Sequence, residues 1–326
     1  MRRLLLADSI LSLSAARDVK WVEPVIMRGT VAFRRSRIAS LAPDMAKWAD
    51  NGMTFAEQAL VLEPRNAAAR ELRGTLSYWR WLNDLATDPK EAAELLRLAE
   101  EDLRAAVKAA PHRASAWSVL SSLFANKADP IEAAMAARRA YEEDAYLSAA
   151  PDIVWRLYSS AYDNEQSVQA KHWCTEGQRR FPSNPRFVQC RLWLLTMPGT
   201  RANIDSAWQL VEDLRRVTPE REWGFAGREA PMLVAAGLAR GGLRDSARHV
   251  LVRSRGDGAV DPTRDLLIDE ALVRVVLGDK DEALRLLKMY LVANPEHRAG
   301  MAETQSWWWR DLKSDPRYQE MVGSGR

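Results

Sequence analysis

Few stretches of this chain carry residues whose types and spacing could do chemistry. "HWCTEG" places His172 two residues before Cys174, and Cys190 follows sixteen residues later. An imidazole and a thiolate can share a zinc ion. Residues two apart on a helix point to different faces, however, so these two do not aim at one metal. Cys174 lies four residues after Ala170, on the packing side, and reads as a buried thiol. Two cysteines supply neither a zinc site nor a disulfide framework, and a reducing, cytoplasmic setting is the default. "YEEDAY" carries Glu142, Glu143 and Asp144, carboxylates of the kind used in acid–base work. No base or nucleophile is tied to them by spacing, and a solvated helix end is the simpler reading. Asp257, Asp261 and Asp265 lack the alternating ligands and closing Glu of a calcium loop. Gly256-x-Gly258 lacks the Lys-Ser/Thr of a phosphate loop. The residues therefore imply no enzyme, no metal and no cofactor.

Bulk properties narrow the partner. The 326 residues are 47% hydrophobic and 28% charged, enough apolar material for a sizeable core. Net charge is only +3, and the signs are interspersed without the basic face that nucleic acid requires. No apolar run approaches the roughly 20 residues that span a bilayer. At the N-terminus, "MRRLLLADSILSLSAARD" has the basic start and small residues of an export signal, but Asp8 interrupts its apolar region. An amphipathic helix with Leu4, Ile10 and Leu11 on one face is the other reading.

The elements that must position any site repeat. Ala283, Tyr290 and Pro295 are spaced by seven and five residues, as are Ala99, Ala106 and Pro111. The same spacing joins Ala170, Gly177 and Pro182; Ala207, Leu214 and Pro219; and Gly52, Ala59 and Pro64. Ala133, Ala140 and Ala145 form a further copy, with Ala in the proline slot. Residues seven apart share a helix face, and small side chains there let a neighbouring helix come close. Proline then stops the helix. The closing positions are 47, 34, 37 and 37 residues apart from Pro64 to Pro219, which fits a 34-residue period with insertions. A partner helix lies upstream: Ser121 precedes Ala133 by twelve residues, and Ala271 precedes Ala283 by the same twelve. Asp129-Pro130-x-Glu132, Asp88-Pro89-x-Glu91, and Asp279 with Glu282 predict capped helix starts between partners.

With Trp117, Leu120, Ser121, Phe124, Ala133 and Ala140, segment 114–145 resembles the tetratricopeptide repeat (TPR) superfamily, and 264–295 resembles it nearly as well. The resemblance implies an all-α fold, a right-handed α-solenoid of about seven TPR-like antiparallel helix pairs. Physically, each pair leaves apolar faces that only its neighbours can cover. Residues 1–19 read as the second helix of a partial repeat. Residues 20–295 read as the superhelix, with insertions near 79–98 and 254–263, the second flexible. Residues 296–326 read as a capping segment, with Trp307, Trp308 and Trp309 covering the open end.

The family's groove implies a protein or peptide partner on the inner faces of the first helices. Here those faces would carry Glu71, Thr75 and Tyr78; then Ser115, Ser118, Ser122 and Asn126; then Arg156, Ser160 and Asn164. The Lys/Asn/Arg carboxylate clamp of chaperone-adaptor members is not reproduced. Most of the 13 tryptophans read as repeat packing; in "LSYWRWL", Tyr78, Trp79 and Trp81 cannot all face one core, and one exposed ring that contacts a partner is the second reading there. "RGTLSYWRWL", "ASAWSVLSSL", "FVQCRLWLL" and "WWWRDLKSDPRYQEMV" resemble the C-terminal repeats of bacterial serine/threonine protein kinases, without the kinase signatures. A noncatalytic scaffold, in the manner of a detached kinase interaction region, is thus expected. The alternative is a hydrolase on the same framework, which two buried, converging acids would favour.

Overall fold

The computed structural model describes residues 2–200, 203–303 and 306–323. Within the expected terminal segment, residues 304–305 and 324–326 lie outside this description. All regular structure among the described residues is helical. The chain divides into two compact units, Met1–Ile153 and Val154–Arg326.

In the first unit, helix α1 (Arg2–Arg17) packs on α2 (Val22–Ile38). Three hairpins follow: α2 with α3 (Ala42–Leu62), α4 (Ala67–Leu82) with α5 (Pro89–Ala109), and α6 (Ala114–Asn126) with α7 (Pro130–Glu143). The first helices of neighbouring hairpins touch, α2 on α4 and α4 on α6. Helix α8 (Ala150–Asp163) runs across the division. The second unit continues with α9 (Ser167–Arg180), α10 (Pro185–Trp193) and α11 (Ile204–Val217). Then come α12 (Glu220–Arg240), α13 (Arg244–Ser254), α14 (Asp265–Leu277) and α15 (Lys280–Ala293), with short α16 (His297–Glu303) and α17 (Pro316–Gly323) at the end. Here too hairpins form, α12 with α13 and α14 with α15, and α12 packs on both α10 and α14. This is the expected solenoid arrangement of side-by-side helix pairs, seen within each unit.

The small-residue register explains the pairing. Ala59, Ala99, Ala106, Ala140, Ala170 and Ala283 are fully buried, and Ala133 and Ala207 nearly so. The approach is closest at the glycines. A Cβ on Gly74 would lie 2.9 Å from Leu103, and one on Gly177 would collide with the Phe187 ring. Even the two large residues in this register, Leu214 and Tyr290, are buried. Each closing proline is preceded by a helix-capping residue out of helical conformation, Glu63, Ala110, Phe181, Thr218 or Asn294. Proline imposes that conformation on its predecessor. The twelve-residue relation is a hydrogen bond in one hairpin, where Ser121 Oγ donates to the Ala133 carbonyl at 2.9 Å.

The caps are mixed. Asp88 and Asp129 accept from the backbone N–H groups of Glu91 and Glu132 at 2.8 and 3.1 Å. Asp279 does not cap α15 with its side chain. It accepts instead from Arg248 at 2.7 and 2.9 Å and from Arg274 at 3.2 Å, because two guanidinium groups outbid one backbone N–H. The 254–263 loop, expected to be flexible, carries its own hydrogen bonds: Asp257 accepts from Ala259 and Val260, and Asp261 from Asp265 and Leu266.

The cysteines overturn the expectation of two separate thiols. Cys174 on α9 and Cys190 on α10 are buried and joined as a disulfide, with Cα atoms 5.9 Å apart. The sequence could not show that these two helices face each other at those positions. The terminal tryptophans also reach further than an end cap requires. Trp307 Nε1 donates to the Tyr162 carbonyl at 3.0 Å, and Arg310 pairs with Glu165, both 145 residues away.

Two measurements check this description. Gly177→Ala should destabilise the protein by about 1–3 kcal/mol, the usual penalty for overpacking, seen as a lower urea midpoint; an unchanged midpoint would mean that α9 and α10 do not meet as described. Protein purified without reductant and then denatured should release no free thiol, and two after reduction. Losing a cross-link across a 16-residue separation should cost about 3 kcal/mol of stability.

Candidate functional site

In the first unit, α4 and α6 bring the expected inner-face residues into one strip. Glu71 accepts from the guanidinium of Arg113 and from Ser115 Oγ. Asn126 Nδ2 donates to the Tyr78 hydroxyl at 2.5 Å and to the Ser122 carbonyl at 3.0 Å. Ser122 Oγ in turn donates to the Ser118 carbonyl at 3.3 Å. Thr75 and Ser118 are half-buried between these links. The three neighbouring rings divide between two sides. Tyr78 stacks on Trp81 with centroids 6.0 Å apart, whereas Trp79 donates to Ser36 Oγ at 2.9 Å and meets Phe33 edge-on. None of the three is freely exposed, which agrees with packing rather than with a ring left for a partner; Ser36 and Phe33 on α2 give Trp79 a second place to pack.

In the second unit, Arg156 and Ser160 are half-buried on α8, and Asn164 just beyond it donates to the Ser160 carbonyl at 2.8 Å. Next to them lies a cluster that the sequence reading did not identify. Tyr158 and Tyr162, one turn apart on α8, are buried. Tyr162 meets Trp193 of α10 edge-on at 5.9 Å, and Trp308 lies flat on Trp193 at 5.3 Å and 11°. The Tyr162 hydroxyl is bonded to Thr196 Oγ1 at 2.5 Å. Gln189 of α10 donates to Glu229 of α12. Asp269 of α14 completes the group, and Glu229 is the largest charge acting on it.

The electrostatics here differ from those of the rest of the interior. Asp102 is buried but held by Arg73 at 2.6 and 2.9 Å. Glu270 is buried but held by Arg255 at 2.7 Å and Arg274 at 3.0 Å. Asp261 accepts two backbone N–H groups. Glu229 and Asp269 are only 5% and 6% exposed, yet no described basic side chain pairs with either. Burial raises both carboxyls, and their mutual repulsion raises Asp269 further. Desolvation of its carboxyl also pushes Asp163, at the end of α8, up to about 6, although the residue as a whole is exposed, so it stands apart from the two buried acids. The two tyrosines are raised by the same desolvation. The arrangement can hold a proton between two acids or accept a positive group beside aromatic rings. A sequence signal did exist: Glu229 and Asp269 are acids embedded in the apolar runs "EAPMLVAAGLA" and "LLIDEALVRVVL".

No family model matches the chain, and no curated protein does. Among solved structures, it is similar to one described as the functional characterization of pilF from Pseudomonas aeruginosa, with 13% identity over 95% of this chain and 99% of that one, TM-score 0.44. It is similar to yeast Tom70 at 13% identity, covering 98% of this chain and 62% of that one, TM-score 0.40. It is also similar to a chain of the Cut9–Hcn1 hetero-tetramer of APC/C at 12% identity, covering 90% and 58%, TM-score 0.43.

The raised acids set a pH dependence. Their protons are held in the folded chain at pH values where the unfolded chain has released them. Stability is therefore lost as pH rises from the ordinary glutamate value of 4.5 towards neutrality. The double variant Glu229→Gln/Asp269→Asn should lack that share of the decline. Urea titrations at about pH 5 and about pH 7.5 should show the variant gaining on the wild type at the higher pH; a constant gap would mean that the acids are not buried as a pair.

Proposed function

We propose that the protein is a noncatalytic helical-repeat scaffold that docks a protein or peptide segment along the inner faces of its first helices. The observation that carries this reading is the polar strip between α4 and α6. Glu71, Ser115, Tyr78 and Asn126 link neighbouring hairpins to one another, and the half-buried Thr75 and Ser118 keep part of their surface in water. Such a strip offers a docked backbone donors and acceptors held at fixed spacing, which lowers the ordering cost of binding. Arg156, Ser160 and Asn164 offer the same kind of surface in the second unit.

The partner is a protein rather than nucleic acid, since the net charge of +3 comes without a basic face. The kinase-type resemblance belongs to this proposal: the chain acts as the interaction region of a signalling protein. An interior disulfide favours an oxidising compartment over the reducing one that separate thiols imply. No described helix is long and apolar enough to cross a membrane.

One observation favours a second reading. Glu229 and Asp269 are the buried pair of acids that a hydrolase on this framework would need. Against it, Glu229 is held by an amide, and among the described residues no nucleophile or base is bonded to either acid. Turnover of a panel of glycoside and peptide substrates, abolished by Glu229→Gln, would establish that reading.

Docking is tested by recovery of a partner on immobilised protein. Thr75→Arg and Ser118→Arg place bulk on the strip without removing a core residue and should lower recovery about tenfold, a change of about 1.4 kcal/mol. Val61→Arg, at an 82% exposed position on α3, should leave recovery unchanged. Equal recovery by all three variants would end the groove reading.

A further inference from the structure

We propose that Glu229 and Asp269, together with Tyr162 and the stacked Trp193–Trp308 pair, form a site for an organic cation, the ammonium or guanidinium group of a lysine or arginine side chain on the docked segment. The peptide source rests on the docking reading above; the cation chemistry does not.

Three independent features converge. The first is the unanswered charge. Elsewhere the chain neutralises buried carboxylates with arginine or backbone N–H groups, as at Asp102, Glu270 and Asp261. Asp269 is only 6% exposed and pairs with no described basic side chain, while its carboxylate oxygens are not among the polar atoms sealed from water without a partner. Glu229 has one amide donor, Gln189, on one of its two oxygens. A largely buried carboxylate without a cationic partner is unfavourable unless it binds a proton or a cation. Arg240, on the same helix as Glu229, does not serve. Its guanidinium donates to the Thr196 carbonyl and forms no ion pair with either acid.

The second feature is the aromatic wall. Gln189, which holds Glu229, stands one turn before Trp193 on α10, and the Trp307–Trp309 turn packs on α14, the helix that carries Asp269. Tyr162 leads on to Trp193, and Trp193 to Trp308, with both tryptophans keeping part of their surface open. Aromatic faces beside carboxylates attract organic cations, and more strongly where water is excluded.

The third is the donor set. Two acids and an amide among indoles and phenols are a poor metal site, and no group of three His, Cys, Asp or Glu among the described residues is arranged to hold a metal ion. A compact charged head that also offers apolar surface to the rings fits better. Lysine, arginine and their methylated forms have that character.

The test uses the full chain and defined probes: acetyl-Gly-Lys-Gly-amide, acetyl-Gly-Arg-Gly-amide, acetyl-Gly-Gln-Gly-amide and free 1,5-diaminopentane, titrated by calorimetry and by tryptophan fluorescence. The lysine and arginine peptides should bind saturably, and the glutamine peptide should bind at least about tenfold more weakly. Glu229→Gln/Asp269→Asn removes charge with little change in shape and should abolish the difference between peptides while retaining wild-type helix content. Trp193→Leu should weaken the cationic peptides alone, and Glu142→Gln, at an exposed position of the first unit, should have no effect. Diaminopentane binding as tightly as the lysine peptide would assign the site to free amines and keep the cation chemistry. Equal binding of the glutamine and lysine peptides, or full binding by the double variant, would overturn the site. Should the peptides fail while Thr75→Arg still lowers partner recovery, the cation site falls and docking stands; the reverse pattern leaves the cation site and removes docking.

Discussion

The structure depends on close approach between helices at small residues. An isolated hairpin leaves apolar faces on both sides, and two hairpins can share them only if their backbones come near enough for side chains to interlock. Gly29, Gly52 and Gly74 show how near that is: a Cβ at each would meet Leu72, Leu76 or Leu103 within 3.0 Å. Those leucines enter space that any larger residue would fill. Burying each is worth about 1.5–3 kcal/mol, so the small residues act through their neighbours' burial rather than their own. The hairpin is then the unit of stability, each supporting the next.

That constraint decides what could be read from the sequence. Small residues seven apart, followed by proline, are a local record of close approach and helix termination, so the pairs could be derived from spacing alone. Ser121 and Ala133, twelve apart, are even joined by a hydrogen bond. Cap residues were legible where competition was weak, as at Asp88 and Asp129. At Asp279 the local pattern was the same, but Arg248, 31 residues away, carried the stronger interaction. The inner-face residues of α4 and α6 were legible for the same reason as the pairs, since their positions follow from the register. Their bonding was not, because Glu71 meets Arg113 and Tyr78 meets Asn126 only across neighbouring hairpins.

What escaped is what a period cannot encode. A repeat describes how each hairpin meets the next and is silent on which side chains meet across several of them. The Cys174–Cys190 bond needs the facing of two particular helix turns. The contact of Trp307 with Tyr162 joins segments 145 residues apart. Gln189, Glu229 and Asp269 come from three successive first helices. Each of these residues had a plausible role in its own hairpin, which is why a reading built from hairpins did not join them.

The two units differ in how they treat buried charge, and the difference has a direction. In the first, buried Asp102 and half-buried Glu71 are both answered by arginine. In the second, Glu270 and Asp279 are answered twice over, within a network that includes Arg248, Arg255 and Arg274. A fold with that many guanidinium groups available to its second unit could place one beside Glu229 and Asp269, and does not. Their amide counterparts would fill the same space without the desolvation cost, so stability alone gives no reason for two carboxylates there. The rings that surround them are not pure core either, since Trp193 and Trp308 keep part of their surface in water. Local sequence, packing and electrostatics agree through most of the chain, and the place where they disagree is where function is expected to reside. The ground around Glu229 and Asp269, negative and aromatic, is that place.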